Sequence, residues 1–193
     1  FLFTATLFPK AYTWELRQSG QSLGNPVALR NDNPDVVYYG TVATIYVSYD
    51  RGETFTAWGT NISGSTRIKC MIVSTRDTST MIVAHEGTPD RIVKTTNRGQ
   101  SWSIVANNLT LSFYGIPVTM DHSSPETLYS MSADTVIKSL DFGTSWTTIH
   151  RANGFFDAPC DLEVFPDSSN IILAGDNTRG IMRSTNGGVT WSQ

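Results

Sequence analysis

The chain has 193 residues, 39% of them hydrophobic and 16% charged, with a net charge of −3. That length supports one sizeable core, and the charge balance lacks the basic footprint of a nucleic-acid binder. The three histidines are scattered, the two cysteines cannot make a disulfide framework, and no His/Cys/Asp cluster has metal-ligand spacing, so neither a metal nor a cofactor is expected.

Taken in order, residues 1–8 are an apolar run followed by Pro9-Lys10-Ala11. The run is too short to span a membrane as a helix. It reads as a strand, or as the tail of an export signal with Ala11 at the cleavage point. Trp14-Glu15-Leu16-Arg17 then reads as an outer strand, with 1–8 as the strand before it.

From there four segments share one pattern. A first strand, A, is Val27-Ala28-Leu29, Met71-Ile72-Val73, Val118-Thr119-Met120 or Leu162-Glu163-Val164-Phe165. A polar turn leads to strand B: Val36-Val37-Tyr38-Tyr39, Met81-Ile82-Val83-Ala84, Thr127-Leu128-Tyr129-Ser130 or Ile171-Ile172-Leu173-Ala174. Strand C is Ile45-Tyr46-Val47, Ile92-Val93-Lys94, Val136-Ile137-Lys138 or Ile181-Met182-Arg183. Strand D follows at Phe55-Thr56-Ala57-Trp58, Trp102-Ser103-Ile104-Val105 and Trp146-Thr147-Thr148-Ile149, and the sequence stops as a fourth D would begin. No three-turn helix is expected.

Between C and D lies an octet that occurs four times. Its positions are Ser48, Asp50, Gly52 and Phe55; Thr95, Asn97, Gly99 and Trp102; Ser139, Asp141, Gly143 and Trp146; and Ser184, Asn186, Gly188 and Trp191. All read Ser/Thr-x-Asp/Asn-x-Gly-x-Ser/Thr-aromatic, and their glycines recur about every 44 to 47 residues, the length of one four-stranded propeller blade. The chemistry is that of a corner. Asp and Asn accept hydrogen bonds from nearby backbone amides, Gly takes a positive φ at no steric cost, and the aromatic ring opens the next strand with a large apolar face.

These octets resemble the Asp-box, or BNR repeat, of sialidase-like β-propellers. The resemblance implies an all-β fold, a propeller or an arc of one with about four four-stranded antiparallel blades. The divisions would be 25–66, 67–113, 114–157 and 158–193, with 1–24 as the end of a preceding blade or a signal tail plus a strand. A stop at Trp191-Ser192-Gln193 favours a segment of a longer propeller. In that family the octets are structural corners on the face opposite the ligand. The connections B–C and D–A then form the binding face. Its candidate residues are Arg67, Tyr114, Arg151, Phe155, Phe156, Asp157 and Arg179, against the reading that Phe113, Tyr114, Phe155 and Phe156 only fill space between blades.

The resemblance identifies an architecture rather than a reaction. The leading expectation is a non-catalytic binding or assembly module of an exported protein, as in sortilin-type receptors and the photosystem II assembly factor, with a protein or glycan partner. It is not membrane-spanning, attachment to a membrane complex stays open, and oligomeric state is not legible. The rivals are a glycoside hydrolase of sialidase or xyloglucanase type and a structural subunit of a larger surface complex. The Arg-Ile-Pro motif of sialidases is absent, the nearest string being Gly115-Ile116-Pro117. A xyloglucanase-type enzyme needs two carboxylates across a cleft; Asp157 and Asp161 come from one loop and one blade, and the sequence names no opposed partner. Cys70 and Cys160, at equivalent repeat positions, read as buried thiols. Asn61-Ile62-Ser63 and Asn108-Leu109-Thr110 match the N-glycosylation pattern.

Overall fold

The computed structural model describes residues 26–30, 32–112, 115–151 and 159–193. The strands expected at 1–8 and at Trp14-Glu15-Leu16-Arg17 lie outside the described residues. Those described form β-strands, turns and loops, with no helix.

The first sheet is β1 (Val27–Leu29), β2 (Val37–Gly40), β3 (Ile45–Ser48) and β4 (Thr56–Ala57). The second is β5 (Arg67–Val73), β6 (Met81–Glu86), β7 (Asp90–Thr95) and β8 (Ser103–Leu109). The third is β9 (Val118–Met120), β10 (Leu128–Ser132), β11 (Thr135–Ser139) and β12 (Thr147–Arg151). The fourth holds β13 (Pro159–Phe165), β14 (Ser168–Asp176) and β15 (Gly180–Ser184), and a bridge between Arg183 and Ser192 starts its outer edge. Each sheet is an antiparallel meander in chain order, as short apolar strands joined by tight polar turns require. Outer strand β4 covers Thr56–Ala57 only, shorter than the sequence run Phe55 to Trp58. Trp58 turns inward instead, 6% exposed against Tyr38 at a ring separation of 5.4 Å.

The inner strands abut in sequence, β1 with β5, β5 with β9 and β9 with β13, so the sheets follow one another as an arc of blades. Side chains alternate along each strand and face the two neighbouring sheets. Three cores result. Tyr38, Ile45 and Val47 pack on Ile68, Met81 and Val83. Ile82, Ala84 and Ile92 pack on Val118, Leu128 and Ile137. Tyr129, Met131 and Val136 pack on Leu162, Ile172 and Met182. Cys70 is buried in the middle core, where desolvation pushes its thiol up to about 12. Cys160 is a thiol too but only half-buried, a departure from the sequence expectation.

Candidate functional site

Antiparallel meanders place the A–B turns and the C–D octets on one face, the corner face, and the B–C and D–A connections on the other, the loop face. The two faces are chemically unlike.

On the corner face the same network is built four times. The Ser48, Thr95, Ser139 and Ser184 hydroxyls each accept the amide of the octet glycine, at 2.7, 2.9, 2.7 and 2.9 Å. Each hydroxyl donates to the Asp or Asn two residues on. That Asp or Asn oxygen accepts the amide four residues further, from Thr54, Ser101, Ser145 or Thr190, at 2.9–3.0 Å. Hydrogen bonds from Ser48 and Thr54 hold the Asp50 carboxyl down at about 2. Burial pushes Asp141 up, but bonds from Ser145 and Ser139 outweigh it and bring it to about 2 as well.

The residue before each octet glycine also has a positive φ: Arg51 (61°), Arg98 (58°), Phe142 (50°) and Gly187 (68°). Its amide reaches the A–B turn of its own sheet, at the carbonyls of Asp35, Ser79, Glu126 and Asn170. Strain in the left-handed region is thereby offset by a backbone hydrogen bond. Between sheets, the Lys94 ammonium crosses to the next octet. It donates to the Phe142 carbonyl at 2.8 Å and the Thr144 hydroxyl at 2.7 Å, and lies 5.5 Å from the Phe142 ring centre.

The loop face is not repetitive. Arg67, at the start of β5, pairs with Glu86 at the end of β6, and the almost fully buried Lys69 ammonium lies 3.3 Å from the same carboxylate. A bulge between Ile68 and Cys70 lets both cations reach it. Burial lowers the Lys69 pKa, the neighbouring Arg67 charge adds to this, and Glu86 opposes it. Asp90 is held by backbone, each of its oxygens accepting one amide, Gly87 at 3.0 Å and Leu111 at 2.9 Å. Arg91 donates to the Asn107 amide oxygen at 3.1 Å. Below them His85 is fully buried, its Nδ1 against the Glu86 carbonyl at 2.9 Å, and its Nε2 has no partner among the described residues. Burial holds its pKa below the usual imidazole value.

Of the residues nominated from sequence, Arg67 sits in this cluster. Arg151 is exposed at the end of β12, and Arg179 is exposed in the β14–β15 turn, where its amide bonds Asp176 and its carbonyl accepts from Gln193. The three arginines are thus on three different sheets. Tyr114, Phe155, Phe156 and Asp157 lie outside the described residues. Glu86, Lys69, His85 and Asp90 were not singled out from sequence. Their signal was charge and His at the ends of otherwise apolar strands, which becomes a cluster only once the register is known. Among the described residues no group of three or more His, Cys, Asp or Glu side chains is placed to hold a metal.

Inside the arc, the inner strands line an open groove of about 360 Å³ whose walls include Leu29, Arg30, Asp32, Thr119, His122 and Glu163. Arg30 and Asp32 pair there, and burial raises the Glu163 carboxyl, helped by Asp161 and opposed by His122.

No family model matches the chain. It is 27% identical over 175 residues to a xyloglucanase of Hypocrea jecorina, covering 88% of this chain and 19% of that protein. A solved GH74 enzyme of Niastella koreensis superposes with a TM-score of 0.73 at 20% identity, over 95% of this chain and 26% of the enzyme. The GH74 xyloglucanase from Xanthomonas campestris does so with a TM-score of 0.71 at 15% identity, over 94% and 32%. YCF48 from Cyanidioschyzon merolae gives 0.58 at 16% identity, over 86% and 54%. The chain therefore spans about a fifth to a third of the xyloglucanases and GH74 enzymes it resembles, and the four antiparallel sheets of its described residues are an arc of a β-propeller.

Proposed function

We propose that the chain is a glycan-contacting arc of an exported glycoside-hydrolase-type propeller, acting on a xyloglucan-like polysaccharide through its loop face. The observation that carries this reading is the 27% identity to a xyloglucanase over 175 residues, nearly the whole arc rather than one motif. We read the four octets as Asp-boxes, structural corners that leave the opposite face for the ligand. Planar guanidinium groups such as Arg151 and Arg179, and an amide such as Asn107, suit a polyhydroxylated chain, because they donate hydrogen bonds and stack on sugar faces. A polysaccharide does not cross a membrane, so export follows from the substrate.

In this reading the described Glu86 and Asp90 serve binding and structure rather than the reacting pair. Glycoside hydrolysis requires two carboxyl groups flanking the scissile bond. On this face Glu86 is neutralised by Arg67 and Lys69, and Asp90 is occupied by two backbone amides. The test is affinity electrophoresis and reducing-sugar release with xyloglucan, and with an undecorated β-1,4-glucan as control. Retardation by xyloglucan without sugar release from this chain is the expected result; equal mobility in both gels would overturn the reading.

A further inference from the structure

We infer that Asn108 is an N-glycan acceptor when the chain passes through a eukaryotic secretory pathway. The sequon Asn108-Leu109-Thr110 closes β8 at a bulge, where the register steps from Ile92 opposite Ala106 to Asp90 opposite Leu109. The extra residue puts Asn108 at φ 57°, a left-handed conformation that Asn tolerates better than most residues. Both Asn108 and Thr110 are exposed, and neither side chain is hydrogen-bonded to a described residue. Thr110 is nevertheless fixed through its backbone, by the Ser132 hydroxyl at 2.8 Å and the Ala133 amide at 2.9 Å. Acceptor amide and hydroxyl thus stand in solvent on a rigid stem. The other sequon, Asn61-Ile62-Ser63, differs: the Asn61 oxygen accepts from Thr44 at 2.9 Å, and Ile62 between its ends is 2% exposed.

The step is a glycosyl transfer. The Asn108 Nδ2 bonds to C1 of the first N-acetylglucosamine of a lipid-pyrophosphate-linked oligosaccharide. The C1–O bond to pyrophosphate breaks, the lipid pyrophosphate leaves with that electron pair, and one amide proton passes to the transferase. A glycan there would root at the loop-face end of β8, one residue beyond Asn107.

The inference rests on export, not on the glycan partner, and the two are read separately. The full chain is secreted from a eukaryotic host, and its intact mass is measured before and after peptide N-glycosidase treatment. The expected result is loss of one glycan mass on treatment, absent from Asn108→Gln and from Thr110→Val and kept in Asn61→Gln. Secreted wild type with no glycan, or a glycan mass undiminished in Asn108→Gln, would overturn the inference while leaving export intact.

Discussion

The corner face and the loop face are built from the same strands but by different rules. On the corner face one local solution is repeated: a hydroxyl, a carboxylate or carboxamide, and two successive left-handed residues close each outer hairpin. On the loop face the described connections are not alike, charges meet across strands, and the buried His85 is left half-satisfied. Saturated, repeated polar networks specify a fold, whereas irregular loops on a rigid scaffold carry binding. Under the proposed function, the difference gives stability to one face and recognition to the other.

The largest effect that would break this division is expected at an octet glycine. A Cβ at Gly143 would lie 2.5 Å from the Ile82 side chain of the neighbouring sheet, at φ +74°; at Gly52 the nearest atom would be Phe55 at 3.7 Å, at φ +88°. Gly143→Ala combines backbone strain with overpacking, about 2–4 kcal/mol. Gly52→Ala carries the strain alone, about 1–2 kcal/mol. Urea midpoints that are equal for the two would show that the octets do not couple neighbouring sheets.

Next comes Lys94→Met, which strands the Phe142 carbonyl and should cost about 1–2 kcal/mol. Lys138→Met removes an ammonium held 5.0 Å from the Tyr129 ring centre, and about 0.5 kcal/mol is expected. A thermal melt in which Lys138→Met is the weaker of the two would contradict the inter-sheet clasp.

Acid separates the faces by pH. His85 has a lowered pKa, so the fold favours the neutral ring; its contribution is present above about 6.5 and is lost as pH falls below that. Asp50 and Asp141, lowered from 3.8 to about 2, contribute above 3.8 and lose that contribution as pH falls towards 2. Denaturant midpoints from pH 7 to 2 should therefore fall in two stages. His85→Met should remove the upper stage, and Asp141→Asn should flatten the lower one, since Asn already serves at 97 and 186. A single stage unaffected by either change would refute the assignment.

How much of this the sequence could show depends on the range of each interaction. The octets were legible because every bond in them spans two to four residues. The meander was legible because apolar runs and polar turns alternate at a fixed period. The left-handed residue before each glycine was hidden, since neither arginine (Arg51, Arg98) nor phenylalanine (Phe142) is a residue type that marks a positive φ, although Gly187 at the same place was a hint. The Arg67–Lys69–Glu86 cluster was hidden for another reason: its partners are joined across strands through a register that depends on a bulge. Cys160 repeats the position of Cys70 yet is only half-buried, which periodicity could not distinguish.

The central claim, recognition confined to the loop face, is tested most directly by matched arginine changes. Arg151→Ala and Arg179→Ala lie on that face, and Arg51→Ala and Arg98→Ala on the corner face; all four are exposed, and each should change stability by no more than about 0.5 kcal/mol. Titration calorimetry with a xyloglucan oligosaccharide should show the first pair weakening binding by about fivefold or more, as loss of a hydrogen bond to a charged group requires, and the second pair leaving it unchanged. Weaker binding in the corner-face pair, with the loop-face pair unaffected, would contradict the account.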